Sequence, residues 1–402
     1  MVRKKWRQGL LLLMCLMLVP QLSGCWDSTE LNERAVVAAI GIDRSEQQRY
    51  EVAFQIIVAD EIASSKARGT TPVILYRETG NTIMEATRKA ARKVPRRISL
   101  AHVRVVVISE ELAREGISQL VDFLERDAET RLTMRVLIAR KNKAKVLLST
   151  MTSIGRIPAN DITGKLESSE RVYGEAYVVN IDDVIRSMNT DGSGPVIAGV
   201  ELTGNVENAP KKDNVEKIIP DATIYMHGTS IFRSDKLVSW LDGEEAMGLS
   251  IIKNKIRSRI SSLACGKEPD SIIVESDFVK SDLDVSFQRG EPVFTLVIKQ
   301  TGMLSEVNCP LDLTGTDIIE AIQNDWSKDT RELVISTVRA AQRSHTDVLG
   351  FGEKLKRQNP KYWSRISKDW GKAFSDSTVQ VRVISIIKHT QTRSSPFSER
   401  TG

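Results

Sequence analysis

The first part of the chain alternates between short apolar runs and amphipathic stretches. Residues 36–42 and 50–60 are predicted strands, the second because its apolar residues alternate with period two from Val52 to Val58. The pattern then predicts a strand at 71–79, a helix at 81–94, a strand at 99–108, a helix at 110–126 and a strand at 132–139. This order predicts an open sheet with helices packed on it, over roughly residues 30–150.

The middle of the chain is less regular. Short helical pieces such as 181–188 lead to an Asp-Gly-Ser-Gly-Pro turn at 191–195 and then to a strand at 196–202. Residues 205–220 are polar and rich in lysine. We expect this segment to be the main domain boundary or a surface excursion.

The second half has the pattern of a strand meander followed by helices. Its predicted elements are strands at 222–227, 230–233 and 237–241, a helix at 243–253, strands at 256–264, 271–279, 283–287 and 293–300, a long helix at 316–343, a helical hairpin and a last strand at 378–388. The predicted fold class is therefore α+β and multi-domain, with mixed β-sheets and helices packed against them.

These patterns divide the chain into a leader and two folded parts. We expect an N-terminal mixed α/β region at 25–204, built as one unit or as two subdomains, and an α+β domain at 221–395. The segment 205–220 separates them, and 396–402 is a tail.

The leader, residues 1–24, has the regions of a secretory signal. Four basic residues precede an unbroken apolar run at 10–19, and small residues precede Cys25. A membrane-spanning helix needs about 20 apolar residues, and Pro20 ends this run at about half that length. A cleaved signal peptide therefore fits better than an uncleaved anchor.

Cys25 follows Leu-Ser-Gly, and this sequence resembles a bacterial lipobox. In a lipobox the cysteine thiol carries a diacylglyceryl group, and the chain is cut just before the cysteine. Each buried methylene contributes about 0.8 kcal/mol, so one acyl chain binds only marginally whereas two hold stably. We predict that Cys25 is the lipidated first residue and ties the protein to membrane lipid. The alternative is a signal peptide that ends near an unmodified cysteine.

Removal of the leader changes the charge of the protein. The chain has 57 Lys and Arg against 52 Asp and Glu, and residues 1–24 contain four of the basic residues and no acidic one. The mature chain is left with 53 basic and 52 acidic residues. A charge this close to neutral gives no reason to expect nucleic acid as a partner.

Two of the four cysteines remain after processing and lipidation. Cys15 leaves with the leader and Cys25 carries lipid, so Cys265 and Cys309 remain in the folded part. Two cysteines in a chain of this size do not form a disulfide scaffold, and neither has a partner at metal-ligand spacing. They form either a single disulfide outside the cytoplasm or two buried thiols.

No catalytic or metal site emerges from the motifs. The histidines are His102, His227, His345 and His389. They are scattered, without acidic or cysteine neighbours at ligand spacing. Two Ser-x-x-Lys tetrads, at 250–253 and 385–388, lack the companion motifs of acyl enzymes, and the glycines near 155–165 lack the spacing of a phosphate loop. The sequence therefore predicts no catalysis, no metal and no cofactor.

Residues 360–374 admit two interpretations. Trp363, Ile366, Trp370 and Phe374 recur at helical spacing, with Lys and Arg elsewhere. A basic amphipathic helix with tryptophans can lie in a membrane interface. The same spacing is typical of a helix packed on a sheet, and we favour core packing.

Several stretches together resemble the Ger(x)C family of spore germination lipoproteins. They are Gly-Cys-Trp-Asp at 24–27, Glu-Leu-Asn at 30–32, Gly-Ile-Asp at 41–43, Gly-Glu-Glu at 243–245 with Gly-Leu at 248–249, Cys-Pro-Leu-Asp-Leu-Thr at 309–314, Asp-Val-Leu-Gly-Phe-Gly-Glu at 347–353 and Pro-Lys-Tyr-Trp at 360–363. The match covers nearly the whole mature chain in the expected order. Trp26 and Asp27, directly after the lipobox cysteine, are its sharpest element.

The resemblance implies the C subunit of a nutrient germinant receptor. Such a subunit is a lipoprotein on the outer face of the inner membrane of a dormant spore, and it works with a permease-like B subunit and an A subunit with a large soluble part. The resemblance implies three mixed α/β domains and no catalysis. It implies a scaffold held at high effective concentration beside its membrane partners, and only Cys25 carries over as a functional residue.

Two rival classes remain open. A lipoprotein that captures a solute for a transport system would also carry a lipobox, and its ligand would stabilise it. An exported, anchored hydrolase would need a nucleophile and a base, and the sequence does not offer that pair.

Overall fold

The computed structural model describes residues 33–63, 70–191, 193–256 and 258–389, together with Trp6. Within these residues the chain forms two β-sheets with helices packed against them. The predicted α+β class with mixed sheets is therefore confirmed. Cys25 and, apart from Trp6, the predicted leader lie outside the described residues.

The larger sheet has nine strands in the described part of the chain. They are β1 (Arg34–Arg44), β2 (Tyr50–Ile57), β3 (Val73–Gly80), β4 (Arg97–Ser99), β5 (Val105–Ser109), β6 (Arg135–Ala139), β7 (Val196–Gly204), β8 (Ala222–Arg233) and β9 (Lys236–Leu241). Their order is β3-β2-β1-β5-β6-β7-β8-β9, and β4 pairs with the start of β1. Because β1, β5, β6 and β7 are parallel, all four begin at one edge of the sheet.

Helices cover both faces of this sheet. They are α1 (Ala59–Ala63), α2 (Ile83–Ala90), α3 (Glu110–Glu115), α4 (Ser118–Arg126), α5 (Ala144–Ser149), α6 (Pro158–Ser168), a π-helical turn (Ser169–Tyr173), α7 (Ile181–Met188) and α8 (Asp213–Glu216). Apolar residues of α2, α3, α4 and α7 pack with Val106 and Ile108 of β5, whereas those of α5 and α6 pack with Val105 and Val107. A strand buried on both faces is expected to be a continuous apolar run, as β5 is.

The smaller sheet has the order β10-β11-β12-β13, with β13 parallel to β12 and the other pairs antiparallel. Its strands are β10 (Arg259–Cys265), β11 (Glu268–Gln288), β12 (Glu291–Val307) and β13 (Thr378–His389). The helices of this part are α9 (Glu244–Ile252), α10 (Thr316–Arg343), α11 (Phe351–Gln358), α12 (Pro360–Ile366), a 3₁₀ turn (Ser367–Asp369) and α13 (Trp370–Ser375). The long helix α10 packs on one face of the sheet through residues such as Trp326 and Leu333.

One apolar cluster joins the two sheets. Ile231 and Leu241 of the larger sheet lie in the same buried cluster as Phe294 and Leu296 of the smaller sheet. Residues of α9 to α13 complete this cluster. The two sheets therefore share part of their core.

The aromatic residues of 360–374 belong to that shared core. Trp363, Trp370 and Phe374 are at most 4% exposed. The rings of Trp363 and Trp370 meet edge to face, with their centroids 5.2 Å apart. The prediction of core packing is confirmed for this segment.

Two predicted elements are broken in the structure. The strand expected at 99–108 is two strands, β4 and β5, joined by a turn. The helix expected at 110–126 is split into α3 and α4 at Gly116, which has a φ of 134°. The amide of Ile117 donates to the carbonyl of Asp235, 2.9 Å away, so a contact with the β8–β9 turn interrupts the helix.

At two places where the sequence predicts a break between strands, the structure has one continuous strand. β8 runs through Gly228, where the sequence indicates two strands, and it passes a register shift opposite Ala198 and Val200 of β7. β11 is one strand of 21 residues because Lys280 and Asp282 keep their pairing with β12. One face of the smaller sheet is exposed, so polar residues there do not end a strand.

The segment 205–220 connects β7 to β8. These two strands are antiparallel neighbours, so the larger sheet continues past the segment. The segment contains α8, and its Ile218 and Ile219 side chains are exposed. β8 and β9 therefore belong to the larger sheet although they follow the segment in sequence.

We predict that Gly248→Ala in α9 destabilises the protein. A Cβ at this position would overlap the Thr337 hydroxyl of α10 and would lie 2.9 Å from Cδ2 of Leu333. Overpacking of this kind costs about 1–3 kcal/mol. Gly164→Ala in α6 is the matched control, because no atom lies within 4 Å of its added Cβ. There we expect a gain of about 0.5–1 kcal/mol from helix propensity. Urea unfolding of both variants measures the difference, and equal free energies of unfolding would contradict the prediction.

Candidate functional sites

The predicted lipidation site precedes the described fold. β1 begins at Arg34, nine residues after Cys25. The start of β1 lies at the edge where the parallel strands begin, so this edge is the part of the sheet closest to Cys25 along the chain. None of the helices in the described residues is long and apolar enough to cross a bilayer.

The structure brings Cys265 and Cys309 together. The Sγ atoms of Cys265 and Cys309 are bonded, and their Cα atoms are 6.5 Å apart. The bond ties the end of β10 to the segment that follows β12, and Cys309 lies in one buried cluster with Trp326 of α10. The sequence alone leaves this pairing open, because it does not show which strands are neighbours.

The histidines do not converge on one site. His227 contacts Glu201 through Nδ1, 2.9 Å from the carboxylate, whereas His345 contacts Ser375. His102 and His389 are exposed. In the described part of the chain, no group of three or more His, Cys, Asp or Glu residues could hold a metal ion.

The two Ser-x-x-Lys tetrads lie in different kinds of element. Ser250 is buried in α9, whereas Ser385 lies in β13, as the sequence indicates. Gln300 donates a hydrogen bond to the Ser385 hydroxyl over 2.7 Å. Ser385 therefore has a structural role in the packing of β12 against β13.

Asp347 organises the loop before α11. Its Oδ1 accepts hydrogen bonds from the amides of Leu349, Gly350 and Phe351 over 2.8–3.1 Å. Its Oδ2 accepts from the amide of Gly352 over 2.6 Å and from the indole of Trp370 over 3.0 Å. The carboxylate is 2% exposed. It fixes the start of α11 against α13.

Burial and hydrogen bonding act on this carboxylate in opposite directions. Burial raises the pKa of Asp347, whereas the amides of Gly352 and Phe351, Lys253 and the Trp370 indole lower it. Burial likewise lowers the pKa of the Lys253 ammonium. Asp347 is in the stretch 347–353 that resembles the family, but apart from the glycines at 350 and 352 no sequence feature indicates this role.

A polar cavity of about 630 Å³ lies between the two parts of the fold. α7 and the turn before β7 form one wall, and Lys253, Lys255 and Lys356 lie in the other. Tyr177 also lines it, and burial raises the pKa of Tyr177 to about 12. No described residue forms a hydrogen bond or ion pair with the Lys253 ammonium. The carboxylates of Asp183, Asp191 and Glu353 also line the cavity, so a ligand there would meet charges of both signs.

Two family models match the chain and together span most of it. The spore germination protein N-terminal domain matches residues 27–202, and the spore germination B3/GerAC-like C-terminal domain matches residues 227–391. The chain therefore belongs to the GerAC-like family of spore germination proteins.

Individual relatives agree with this assignment. The chain is 30% identical to spore germination protein KC of Bacillus subtilis (strain 168), over 98% of each chain. It is 22% identical to spore germination protein B3 of the same organism, over 89% of this chain and 91% of the relative. The crystal structure of the GerBC protein matches with a TM-score of 0.56 and 20% identity, over 87% of this chain and 96% of that chain. This structure supports the fold.

Proposed function

We propose that this protein is the membrane-anchored lipoprotein subunit of a nutrient germinant receptor, required for spore germination in response to small-molecule nutrients. In this proposal a diacylglyceryl group on Cys25 holds the protein on the outer face of the inner spore membrane. Its partners are the A and B subunits of the receptor. The protein acts as a scaffold and not as an enzyme.

Family membership along nearly the whole chain carries this proposal. The two family matches begin two residues after Cys25 and end at residue 391, so the Leu-Ser-Gly-Cys sequence that resembles a lipobox stands directly before the matched sequence. A lipid anchor raises the effective concentration of the folded part near membrane partners, so modest interfaces are enough for assembly.

Two buried carboxylates, Asp43 and Asp347, support a structural role. Asp43 accepts hydrogen bonds from the amides of Ala144 and Lys145, over 2.7 and 3.0 Å. Asp347 holds four backbone amides in the same manner. These groups have pKa values raised by burial, and their hydrogen bonds fix the ends of helices.

The cavity beside Lys253 favours a second candidate, a lipoprotein that captures a solute for a transport system. A ligand that binds only the folded state stabilises it, and an amino acid or sugar at 100 times its Kd would add about 2.7 kcal/mol. Under the scaffold proposal these solutes leave the melting temperature unchanged. A rise in melting temperature with a solute, absent from the Lys253→Gln variant, would favour the solute-binding function.

Co-purification from detergent-solubilised spore membranes tests the scaffold proposal. We expect the native protein to bring down its A and B partners and to carry an acylated first residue in mass spectrometry. A chain with residues 1–25 joined to an unrelated soluble domain is the control, because it shares the anchor and lacks the fold. Equal recovery of the partners with both chains, or an unmodified first residue, would contradict the proposal.

A further inference from the structure

The edge where the parallel strands of the larger sheet begin is rich in arginine. Arg34 starts β1 and is the register partner of Arg97 in β4. Arg104 directly precedes β5, and its carbonyl accepts a hydrogen bond from the amide of Arg135, the first residue of β6. The surface that we name the basic edge consists of Arg34, Arg96, Arg97, His102, Arg104, Arg131 and Arg135.

Most of these positive charges lack an acidic partner. Arg97 pairs with Glu129 over 3.0 Å, and Arg135 pairs with Glu167 over 3.2 Å. In the described part of the chain, the other four arginines form no ion pair; they are Arg34, Arg96, Arg104 and Arg131. Glu33, next to Arg34 in sequence, is a further carboxylate at this edge. The basic edge therefore has an excess of positive charge.

Part of the basic edge surrounds an open cavity of about 660 Å³. Arg104, Arg131, Arg135 and His102 line it, and Glu167 is its acidic residue. Arg104 and Arg131 are exposed, so their guanidinium groups can reach a ligand from outside. Guanidinium groups bind phosphate oxygens through paired N–H donors, and phosphate is the ligand class that this cavity fits.

The short chain between Cys25 and the basic edge favours a membrane lipid as the source of the phosphate. Arg34 is nine residues after Cys25, and an extended chain of that length spans at most about 32 Å. A lipid on Cys25 thus keeps this edge close to the bilayer surface. The opposite edge lies farther away by the length of β1, roughly 35 Å for its 11 residues.

We propose that the basic edge docks on the phosphate headgroups of anionic lipids in the bilayer that holds the Cys25 anchor. This inference rests on the proposed lipidation. Docking gives the folded part a fixed orientation, with the starts of the parallel strands facing the membrane. Each arginine near an anionic bilayer surface raises the membrane partition coefficient about fivefold, and salt weakens this effect.

Vesicle flotation of the mature chain, residues 25–402 with Cys25→Ala, tests the docking without the anchor. Every helix and strand described above lies within this chain. We expect binding to vesicles of phosphatidylglycerol and phosphatidylcholine at low salt, and at least tenfold weaker binding to phosphatidylcholine alone. The triple substitution Arg96→Gln, Arg104→Gln and Arg131→Gln should lower the partition coefficient by about 100-fold.

The matched control removes three lysines from the aromatic segment, Lys361→Gln, Lys368→Gln and Lys372→Gln. These lysines are exposed and lose the same charge, so binding should fall less than threefold. An equal loss in both triple variants, or equal binding to the two kinds of vesicle, would overturn the docking. Binding of inorganic phosphate at millimolar concentration without vesicle binding would also overturn it, because the cavity would then serve a soluble anion.

This test separates the two proposals. The vesicle assay contains no acylated cysteine, so its failure rejects the docking and leaves the lipidation of Cys25 untouched. An unmodified Cys25 in the native protein, found by mass spectrometry, rejects the anchor and removes the reason for assigning the phosphate to a lipid.

Discussion

Cys25→Ala is expected to remove the lipid, to release the protein from spore membranes and to abolish or strongly reduce the germination response. Each buried methylene contributes about 0.8 kcal/mol to membrane binding, and two acyl chains hold a protein stably where one does not. The electrostatic contacts of the basic edge alone give reversible binding. We therefore expect the membrane-bound fraction to fall by about tenfold or more at physiological salt.

The design of this experiment has to account for the leader. Without the thiol the lipobox is not processed, and an uncleaved leader could itself hold the protein at the membrane. The substitution is therefore combined with a secretory leader that is cleaved without a cysteine. Cys15→Ala is the matched control, because it removes a thiol from the apolar run and leaves Cys25 intact. Full membrane retention with a normal nutrient response would contradict the anchor.

Asp347→Ala is expected to destabilise the protein by roughly 3–5 kcal/mol, the largest effect that we predict for a single buried side chain. The substitution leaves four backbone amides and the Trp370 indole without their acceptor in a buried site. It also leaves the Lys253 ammonium without a nearby buried carboxylate. Denaturant unfolding measures the change in the free energy of unfolding.

Asp191→Ala is the control for the loss of a carboxylate. Its side chain is 69% exposed, and its ion pair with Lys356 lies at the surface. Such a pair contributes about 0–1 kcal/mol, so this variant should unfold almost as the parent does. Asp347→Asn keeps the shape of the side chain and one acceptor oxygen, and we expect a cost between those of the other two variants. Equal stability of Asp347→Ala and Asp191→Ala would show that the network around Asp347 does not hold the fold together.

Elements with a strong and uninterrupted period were predictable from the sequence. The long helix predicted at 316–343 has the bounds that the structure gives to α10, and the helix at 181–188 coincides with α7. In both, apolar residues recur on one face and the flanking residues end the pattern. Local sequence is sufficient here because each helix packs through apolar residues of its own that recur at the helical period, as from Ile322 to Ala341 in α10.

Elements whose limits depend on contacts far along the chain were not predictable. Gly116 interrupts a helical pattern because the next amide bonds to Asp235, which is 118 residues away from Ile117. β11 continues through Lys280 and Asp282 because β12 lies beside it. Pairing energy from a neighbouring strand overrides local polarity in such cases, and one sequence does not show which strands are neighbours.

The candidate sites divide in a similar way. The prediction for Cys25 depends on consecutive residues, so the sequence was enough to make it. The network of Asp347 and the basic edge depend on spatial neighbours. The arginines of the basic edge are far apart in sequence, for example Arg34, Arg104 and Arg131. The near-neutral total charge gives no indication that they form a cluster. Only the parallel order of β1, β5 and β6 places them at one edge.

The continuation of the larger sheet beyond residue 220 constrains how halves of this protein can be exchanged between relatives. A chimaera joined at that point would take β8 and β9 from the donor and β7 from the recipient. The junction between the two proteins would then lie between β7 and β8, which are hydrogen-bonded to each other. If mismatched side chains prevented β8 from pairing with β7, β7 would become an exposed edge strand. Exposed edge strands can pair with strands of other chains. Exchange after Leu241 would keep the nine strands of the larger sheet together and would move the junction to the start of α9.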